Sequence, residues 1–450
     1  MQQTIDKQPT LTKQVIHYAL ADGIATAMPY IINPILAIFL TIEDFGITAN
    51  FLVVSSFFNI IITFNTDSFF SACYFKTSQK ERTSLLVRSI FINLVITLLI
   101  LISIPFISKE IYSYYYLPTV WIAFGAVLGL SDTILSQYIN VLRLTENLKV
   151  YKRIQIIRSI LSSSLSLLLV VGLHQGWQGR ILSLLFASLL LSLSILTYNI
   201  KLIQKLTFTS FIFFMKSFLR FSIPLLPHRI AGVINNIFEK AFITEKLGVG
   251  FNGILSFAQQ ISGALSVFSN AYLSAASPFF YKKFAEFDSL DSNTFLKTTV
   301  LSDIKKIILV SIISYCALSI LAYIGAHFLI ILIFPYDYIQ SIQFLPFLLI
   351  SNVFNFIYFN FSPALFFYKR TEYLGLGTSI SVISYILILP TFYYFMNING
   401  ILLAIVLSSI IKTVATIYFS NKIFPLDWAN TYKFLGSKIK IINQKTKNHI

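Results

Sequence analysis

Apolar runs of about 20 residues, the length that crosses a bilayer as a helix, follow one another along the whole chain. They place membrane spans near 15–40, 46–72, 85–107, 116–142, 150–173, 180–200, 217–245, 250–280, 304–334, 340–366, 373–396 and 399–420. The connections on one side are short: Thr41–Asp44, Ser108–Tyr115, His174–Gly179, Thr244–Gly250, Phe334–Tyr338 and Met396–Gly400. Those on the other side are basic, the longest being Asn199–Lys216 and Lys282–Lys305. The pattern predicts an all-α integral membrane protein of twelve transmembrane helices, with no stretch left over for a soluble domain.

Polar residues interrupt the apolar runs at helical spacing. Within Phe218–Gly248, the residues His228, Arg229, Gly232, Asn235, Asn236, Glu239 and Lys240 fall in an arc of roughly 140° at about 100° per residue. Ile230, Ala231, Ile234, Ile237, Phe238, Ala241 and Phe242 fill the remainder. A charge at the bilayer centre costs about 2.5–3.5 kcal/mol on insertion scales, so such residues face a bundle interior or water. One side of this helix is expected to look into a wet cavity. Other spans carry matching stripes: Asp22, Thr26, Pro29, Tyr30 and Asn33 on the first; Ser55, Ser56, Asn59, Thr63, Thr66 and Asp67 on the second. The fourth aligns Gly125, Gly129, Asp132, Ser136, Asn140 and Arg143, and the eighth Ser256, Gln259, Gly263, Ser266, Asn270, Ser274 and Ser277.

The candidate cavity-lining, substrate-binding residues are therefore Arg229, Lys240, His228, Asn235, Asn236, Glu239, Asp22, Asn33, Asp132, Gln259 and Asn270. Hydrogen bonding between helices is the competing explanation, strongest for the Gly- and Ser-rich eighth span. Arg229 lies nine residues beyond the interfacial Arg220, about 14 Å along the helix and near the midplane. Lys240 lies about 16 Å further, near the outer mouth, with Glu239 beside it. Arg229 has no acidic residue at three- or four-residue spacing. Its charge is left for a ligand, or for Asp132 or Asp22 on another helix.

The two halves of the chain repeat. An offset of 202 residues lays Glu43-Asp44-Phe45-Gly46-Ile47 on Glu245-Lys246-Leu247-Gly248-Val249, and Asn33 on Asn235. Both halves hold six spans and start on the same side, which makes the repeat parallel, about an axis along the membrane normal. The expected organisation is a six-helix bundle over 1–200, a cytoplasmic linker over 201–216, a second six-helix bundle over 217–420 and a basic cytoplasmic tail over 421–450.

Charge sets the orientation. Of 34 Lys and Arg residues, 28 collect on the side of the basic loops, while Lys109, Arg180 and Lys246 fall outside and Arg229, Lys240 and Lys412 lie within spans. The positive-inside rule then puts both termini in the cytoplasm. The net charge of +16 is a topology signal with anionic lipid contact as a by-product, and it implies no nucleic acid. Charged residues make up 12% of the chain, against about 25% in soluble proteins. No cleavage site follows the first apolar run, so it is expected to remain as a helix.

Several patterns that resemble chemistry lack its context. Gly248-Val249-Gly250-Phe251-Asn252-Gly253 matches GxGxxG but sits in an outer turn, without the strand a nucleotide fingerprint requires. Cys73 and Cys316 are far apart, and the five histidines show no ligand spacing, so no metal or cofactor is expected. His228, beside Arg229, is a candidate for proton coupling or an interior hydrogen-bonded group. Lys412 is expected to snorkel to the cytoplasmic interface. No nucleophile–base pair appears, and the outer loops are too short for a membrane polymerase or ligase, so the chain reads as a non-enzyme.

The first helix ending Asn33-Pro34 with Phe45-Gly46 beyond it, and Phe221-Ser222-Ile223-Pro224-Leu225-Leu226-Pro227 opening the seventh span, carry a family resemblance. Gly248, Gly253-Ile254-Leu255-Ser256-Phe257-Ala258 and Ala275-Ala276-Ser277-Pro278-Phe279-Phe280 extend it. The chain resembles the polysaccharide-transporter branch of the multidrug/oligosaccharidyl-lipid/polysaccharide (MOP) exporter superfamily, in particular Wzx-type O-antigen flippases. The resemblance implies two six-helix bundles in a V that opens alternately to either side. The implied cargo is a polyprenyl-diphosphate-linked oligosaccharide, driven by a proton or sodium gradient. Arg229 and Lys240 are the implied contacts for its diphosphate or acidic sugars, and polysaccharide polymerase and chain-length proteins the implied partners. Within the spans Asp22, Asp67, Asp132 and Glu239 outnumber Arg229, Lys240 and Lys412. That balance keeps a drug or organic-cation antiporter of the same fold as the alternative, with Asp22 and Glu239 as its cation sites.

Overall fold

A computed structural model describes residues 28–74, 77–145, 147–198, 208–290 and 294–426. Among them there is no strand, and eight helices are long and apolar enough to cross a membrane. In chain order the helices are α1 (Met28–Ala37), α2 (Ile42–Thr63), α3 (Thr66–Tyr74), α4 (Gln79–Tyr115), α5 (Thr119–Leu144), α6 (Leu148–Ser166) and α7 (Gly176–Tyr198). They continue with α8 (Phe208–Gly263), α9 (Leu265–Ser289), α10 (Thr294–Ile333), α11 (Leu345–Phe367) and α12 (Thr371–Ile423).

Two of the expected outer turns are almost as tight as a chain can make them. The 56-residue α8 has one non-helical residue, Gly248 (φ 86°, ψ 166°), and the 53-residue α12 has one, Asn397 (φ 50°, ψ −129°). Both lie inside the predicted turns Thr244–Gly250 and Met396–Gly400. A side chain at Gly248 would meet the steric penalty of that positive φ.

Elsewhere the boundaries move. The second predicted span breaks into α2 and α3 at Phe64 and Asn65, both with positive φ (42° and 63°). Asn65 is anchored there by a 2.9 Å hydrogen bond from its Nδ2 to the Ser222 carbonyl. The expected outer loop Ser108–Tyr115 is instead the last turns of α4, which stops at Tyr116 (φ 55°), two residues before Pro118. The expected loop Lys282–Lys305 is mostly helix, because α9 and α10 run on towards each other. Lys283 ties them, 2.9 Å from Asp303 and 3.2 Å from Glu286. The second half of the expected linker belongs to α8, while its first half and the tail beyond Leu426 lie outside the described residues.

The chain forms two compact units, 1–267 with 324–348, and 268–323 with 349–450. They follow spatial contact and are a different partition from the sequence repeat. In the first unit α2 is the central post. Ser55 donates to the Gly125 carbonyl at 3.1 Å, and Asn59 donates to the Gly129 carbonyl and to Thr133, each at 3.0 Å. These bonds fasten α2 to α5, around a core that includes Phe51, Phe58, Ile62, Ile122 and Ile181.

On its other side α2 crosses the second leg of α8 at backbone contact. A Cβ on Gly253 would stand 1.8 Å from the Ile42 carbonyl oxygen, and one on Gly46 2.1 Å from that of Val249. At the crossing Asn252 Nδ2 donates to Asn50 Oδ1 at 2.7 Å, across 202 residues. The offset of the sequence repeat thus reappears as a contact between two equivalent asparagines, both fully buried. In the second unit Phe280, Phe284, Ile304, Phe361 and Phe424 form the core.

Candidate functional site

The hairpin at Gly248 lays the two legs of α8 side by side, bringing Glu239 and Lys240 against Ser256 and Gln259. Lys240 Nζ donates to Ser256 Oγ and Gln259 Oε1, each at 2.7 Å, and stands 3.9 Å from Glu239 Oε1. Gln259 Nε2 closes the ring by donating to Glu239 Oε1 at 2.6 Å. Both charged residues are buried, 6% and 7% exposed. A buried pair persists only when further hydrogen bonds satisfy it, and the amide of Gln259 serves both partners at once. Asn235 lies one turn away with its Oδ1 buried and unpartnered among the described residues. Asn236 is exposed, and so is Asn270, which belongs to the second unit.

Arg229 lies three turns earlier on α8. Its Nη2 is 2.5 Å from Asp67 Oδ2, with the two side chains 31% and 25% exposed. The sequence offered Asp132 or Asp22 as an intramolecular partner, and the structure corrects this. The break at Phe64–Asn65 sets α3 against the first leg of α8, where Phe69 packs edge-on to Phe214 and Phe218 at 5.6 and 5.5 Å. That docking, with the Asn65–Ser222 bond, carries Asp67 to Arg229. Asp22 and the side chain of His228 lie outside the described residues.

Asp132 belongs to a different cluster. Its Oδ1 accepts from Arg158 Nη2 at 2.7 Å and from Ser188 Oγ at 2.8 Å. Nearby, Arg180 donates to Ser166 Oγ at 2.5 Å and to Asn33 Oδ1 at 2.7 Å. The two sets share a cavity of about 390 Å³ lined from α1, α2, α5, α6 and α7. Charge counting along the chain put Arg180 on the outer side, at the start of the span near 180–200; the structure buries it there, 7% exposed. The apolar run near 180–200 gives no sign of this, because Arg180 sits near the start of α7 and its acceptors come from α1 and α6.

Lys412 also departs from expectation. It does not reach for the interface but bonds Asn355 Oδ1 on α11 and stands 5.0 Å from the centre of the Tyr358 ring. Among the described residues no group of three or more His, Cys, Asp or Glu could hold a metal ion.

Long apolar helices with ionised side chains held between them define the class, a multi-pass membrane protein. Its fold is shared with solved structures of a flippase and of transporters. The chain is similar to the lipid II flippase MurJ in an inward closed conformation, with TM-score 0.66 and 18% identity over 90% of this chain and 87% of that one. It is similar to the MATE multidrug transporter DinF-BH, with TM-score 0.62 and 13% identity over 94% and 99%. A MOP superfamily transporter from Pyrococcus furiosus, described as having a binding pocket of reverse polarity, aligns with TM-score 0.55 and 15% identity over 92% and 96%. At these identities the fold is what is shared, and the neighbours are transporters and a flippase, not enzymes. None of the curated proteins matches the sequence. Residues 11–284, more than half of the chain, match the family described as polysaccharide biosynthesis protein, and the chain belongs to that family.

Proposed function

We propose that this protein is a flippase that carries an undecaprenyl-diphosphate-linked oligosaccharide, the repeat unit of an O-antigen or capsule, from the inner to the outer leaflet of the bacterial inner membrane. It works by alternating access across twelve spans, with both termini in the cytoplasm: α8 and α12 are each divided in two at Gly248 and Asn397, α2 and α3 count as one span, and the second leg of α8 and α9 count as another. A sugar head cannot cross hydrocarbon unaided, so a hydrated groove shields it while the polyprenyl tail stays in lipid. Membership of a polysaccharide biosynthesis family supports the cargo class, and MurJ supplies a lipid-linked precedent of the same fold.

The observation that carries the site is the Arg229–Asp67 pair, part-exposed between α3 and the first leg of α8. A guanidinium presents a planar fork that matches phosphate oxygens two at a time. Asp67 holds that fork until the diphosphate replaces it, and takes it back on release. The organic-cation reading loses one of its sites here, since Glu239 is buried and already bonded by Gln259 beside Lys240.

The test is substitution at Arg229 in cells that depend on this gene for surface polysaccharide. Arg229→Lys should keep partial export, because lysine binds phosphate as a point charge. Arg229→Glu should abolish export in protein that inserts at normal levels. If the pair only braces the fold, Arg229→Ala should lower expression and Arg229→Ala with Asp67→Ala should restore it. Normal export by a well-expressed Arg229→Glu protein defeats the site assignment. Gene loss separates the two transporter classes: missing surface polysaccharide fits the flippase, whereas intact polysaccharide with new sensitivity to cationic dyes fits the antiporter.

A further inference from the structure

The cavity in the first unit is not part of the Arg229 or Lys240 clusters, and among the described residues its charges do not balance: two guanidiniums meet one carboxylate there. Arg158 has Asp132 at 2.7 Å. Arg180, 7% exposed, is held by neutral oxygens of Ser166 and Asn33 and has no carboxylate within ion-pair distance among the described residues. An arginine stays protonated in proteins, and a buried charge without a counter-charge costs several kcal/mol. The fork has five N–H donors, more than these two acceptors consume.

The rest of the wall is mixed: α1, α2, α5 and α7 contribute apolar residues, among them Ile32, Leu52, Leu128 and Leu184, and the remaining polar groups suit the hydroxyls of a polyol. Ser159, Ser162, Ser163 and Ser188 bring hydroxyls and Gln155 an amide, groups that both donate and accept. The volume of about 390 Å³ stands near the lower end of the roughly 300–1,000 Å³ typical of small-molecule sites.

We infer that this cavity binds an oxyanion carried on a single hydroxylated ring, an acidic sugar or a sugar phosphate, with Arg180 as its principal anchor. Asp132 holds Arg158 beside it and the serine hydroxyls take the ring. Asn33 and Ser166 hold the Arg180 fork at the cavity wall. The inference is independent of the flippase reading, since it concerns binding by the purified protein and needs no transport.

The experiment uses the full-length protein in phosphatidylcholine nanodiscs and reads thermal stability against concentration of glucuronate, glucose 1-phosphate, glucose and inorganic phosphate. A ligand specific to the folded state at ten times its Kd raises the folded-to-unfolded ratio about elevenfold. Glucuronate or glucose 1-phosphate should give a saturable rise, with glucose inert and phosphate weaker. Arg180→Gln should abolish the rise. Should that variant fail to fold, Ser163→Leu carries the test, because it fills the cavity without removing a charge. Equal stabilisation by glucose or by bare phosphate overturns the assignment, as does an undiminished response in Ser163→Leu. A response confined to nanodiscs containing phosphatidylglycerol, lost in the same variants, also overturns it and gives the cavity to a lipid headgroup.

Discussion

Lys240→Met is the most informative change in the α8 hairpin. The ammonium stands 3.9 Å from Glu239 Oε1, which at an effective dielectric constant of about 20 corresponds to roughly 4 kcal/mol of attraction. It also makes charge-assisted bonds to Ser256 and Gln259, both at 2.7 Å, each contributing about 1.5–3 kcal/mol net. Desolvation of two buried ions opposes these terms, so the pair as a whole is near break-even. Removing one member is not: it leaves the Glu239 carboxylate buried without its cation, at a cost of about 3–5 kcal/mol. The single variant should therefore lose monodisperse protein at a clearly lower temperature than wild type. Lys240→Met with Glu239→Gln should recover most of the loss, because no charge is then stranded. The assay is the fraction of detergent-solubilised, fluorescently tagged protein still monodisperse after a heating series. Surface polysaccharide should track protein level in both variants, since Lys240 is buried too deeply to be a cargo contact in this conformation. A single variant as stable as wild type, or a double variant no better than the single, refutes the reasoning.

Three further outcomes are expected. Gly253→Ala should destabilise the protein by about 1–3 kcal/mol or more through overpacking, since its Cβ would stand 1.8 Å from the Ile42 carbonyl oxygen; unchanged thermal stability would rule out the backbone crossing of α2 and α8. Lys412→Met should be tolerated better than Lys412→Glu, which sets a carboxylate against Asn355 Oδ1 and the Tyr358 ring face; equal thermal stability of the two would count against that placement. Reporter fusions after Thr145, Phe208 and Asn293 should report cytoplasm and those at Gly176 and Tyr336 the outside, and inversion at two or more of them discards the orientation.

What the sequence revealed depended on whether the signal was local. The hairpin at Gly248 could be read because a glycine, a drop in hydropathy and the start of a second apolar run coincide. The repeat could be read for the same reason, and it returns as the Asn50–Asn252 bond. The break at Phe64–Asn65 carries neither glycine nor proline, and what holds it is the carbonyl of Ser222, 157 residues away. The partner of Arg229 was hidden behind that break, since a straight second span gives no reason to prefer Asp67 over Asp132. The burial of Arg180 was not legible, because a charge at the start of an apolar run reads as exposed at the interface until its neighbours are known. The stripe of Ser55, Asn59 and Thr63 was legible as polar, but much of it joins α2 to α5.

On the flippase reading proposed above, exposure, more than charge, separates the cations that brace the fold from the one that meets cargo. Every span must satisfy its ionised groups, whatever the protein transports, because an unpaired one costs several kcal/mol. Lys240 and Glu239 meet that demand completely, with side chains 8% and 9% exposed, and a ligand would have to dismantle their hydrogen bonds to reach them. Arg229 meets it with one aspartate and keeps 31% of its side chain exposed, so a phosphate can approach the open side of the fork before Asp67 lets go. In that proposed cycle the exchange passes through a shared state in which the guanidinium touches both anions and is never bare. A residue built this way needs a nearby carboxylate that is itself accessible, so that the released aspartate is hydrated. Asp67, 25% exposed, meets that condition, so Asp67→Asn should tighten cargo binding while slowing release, giving reduced export with lipid-linked repeat units retained on the purified protein. Export equal to wild type, with no retained lipid, would remove Asp67 from the cycle and leave it a brace.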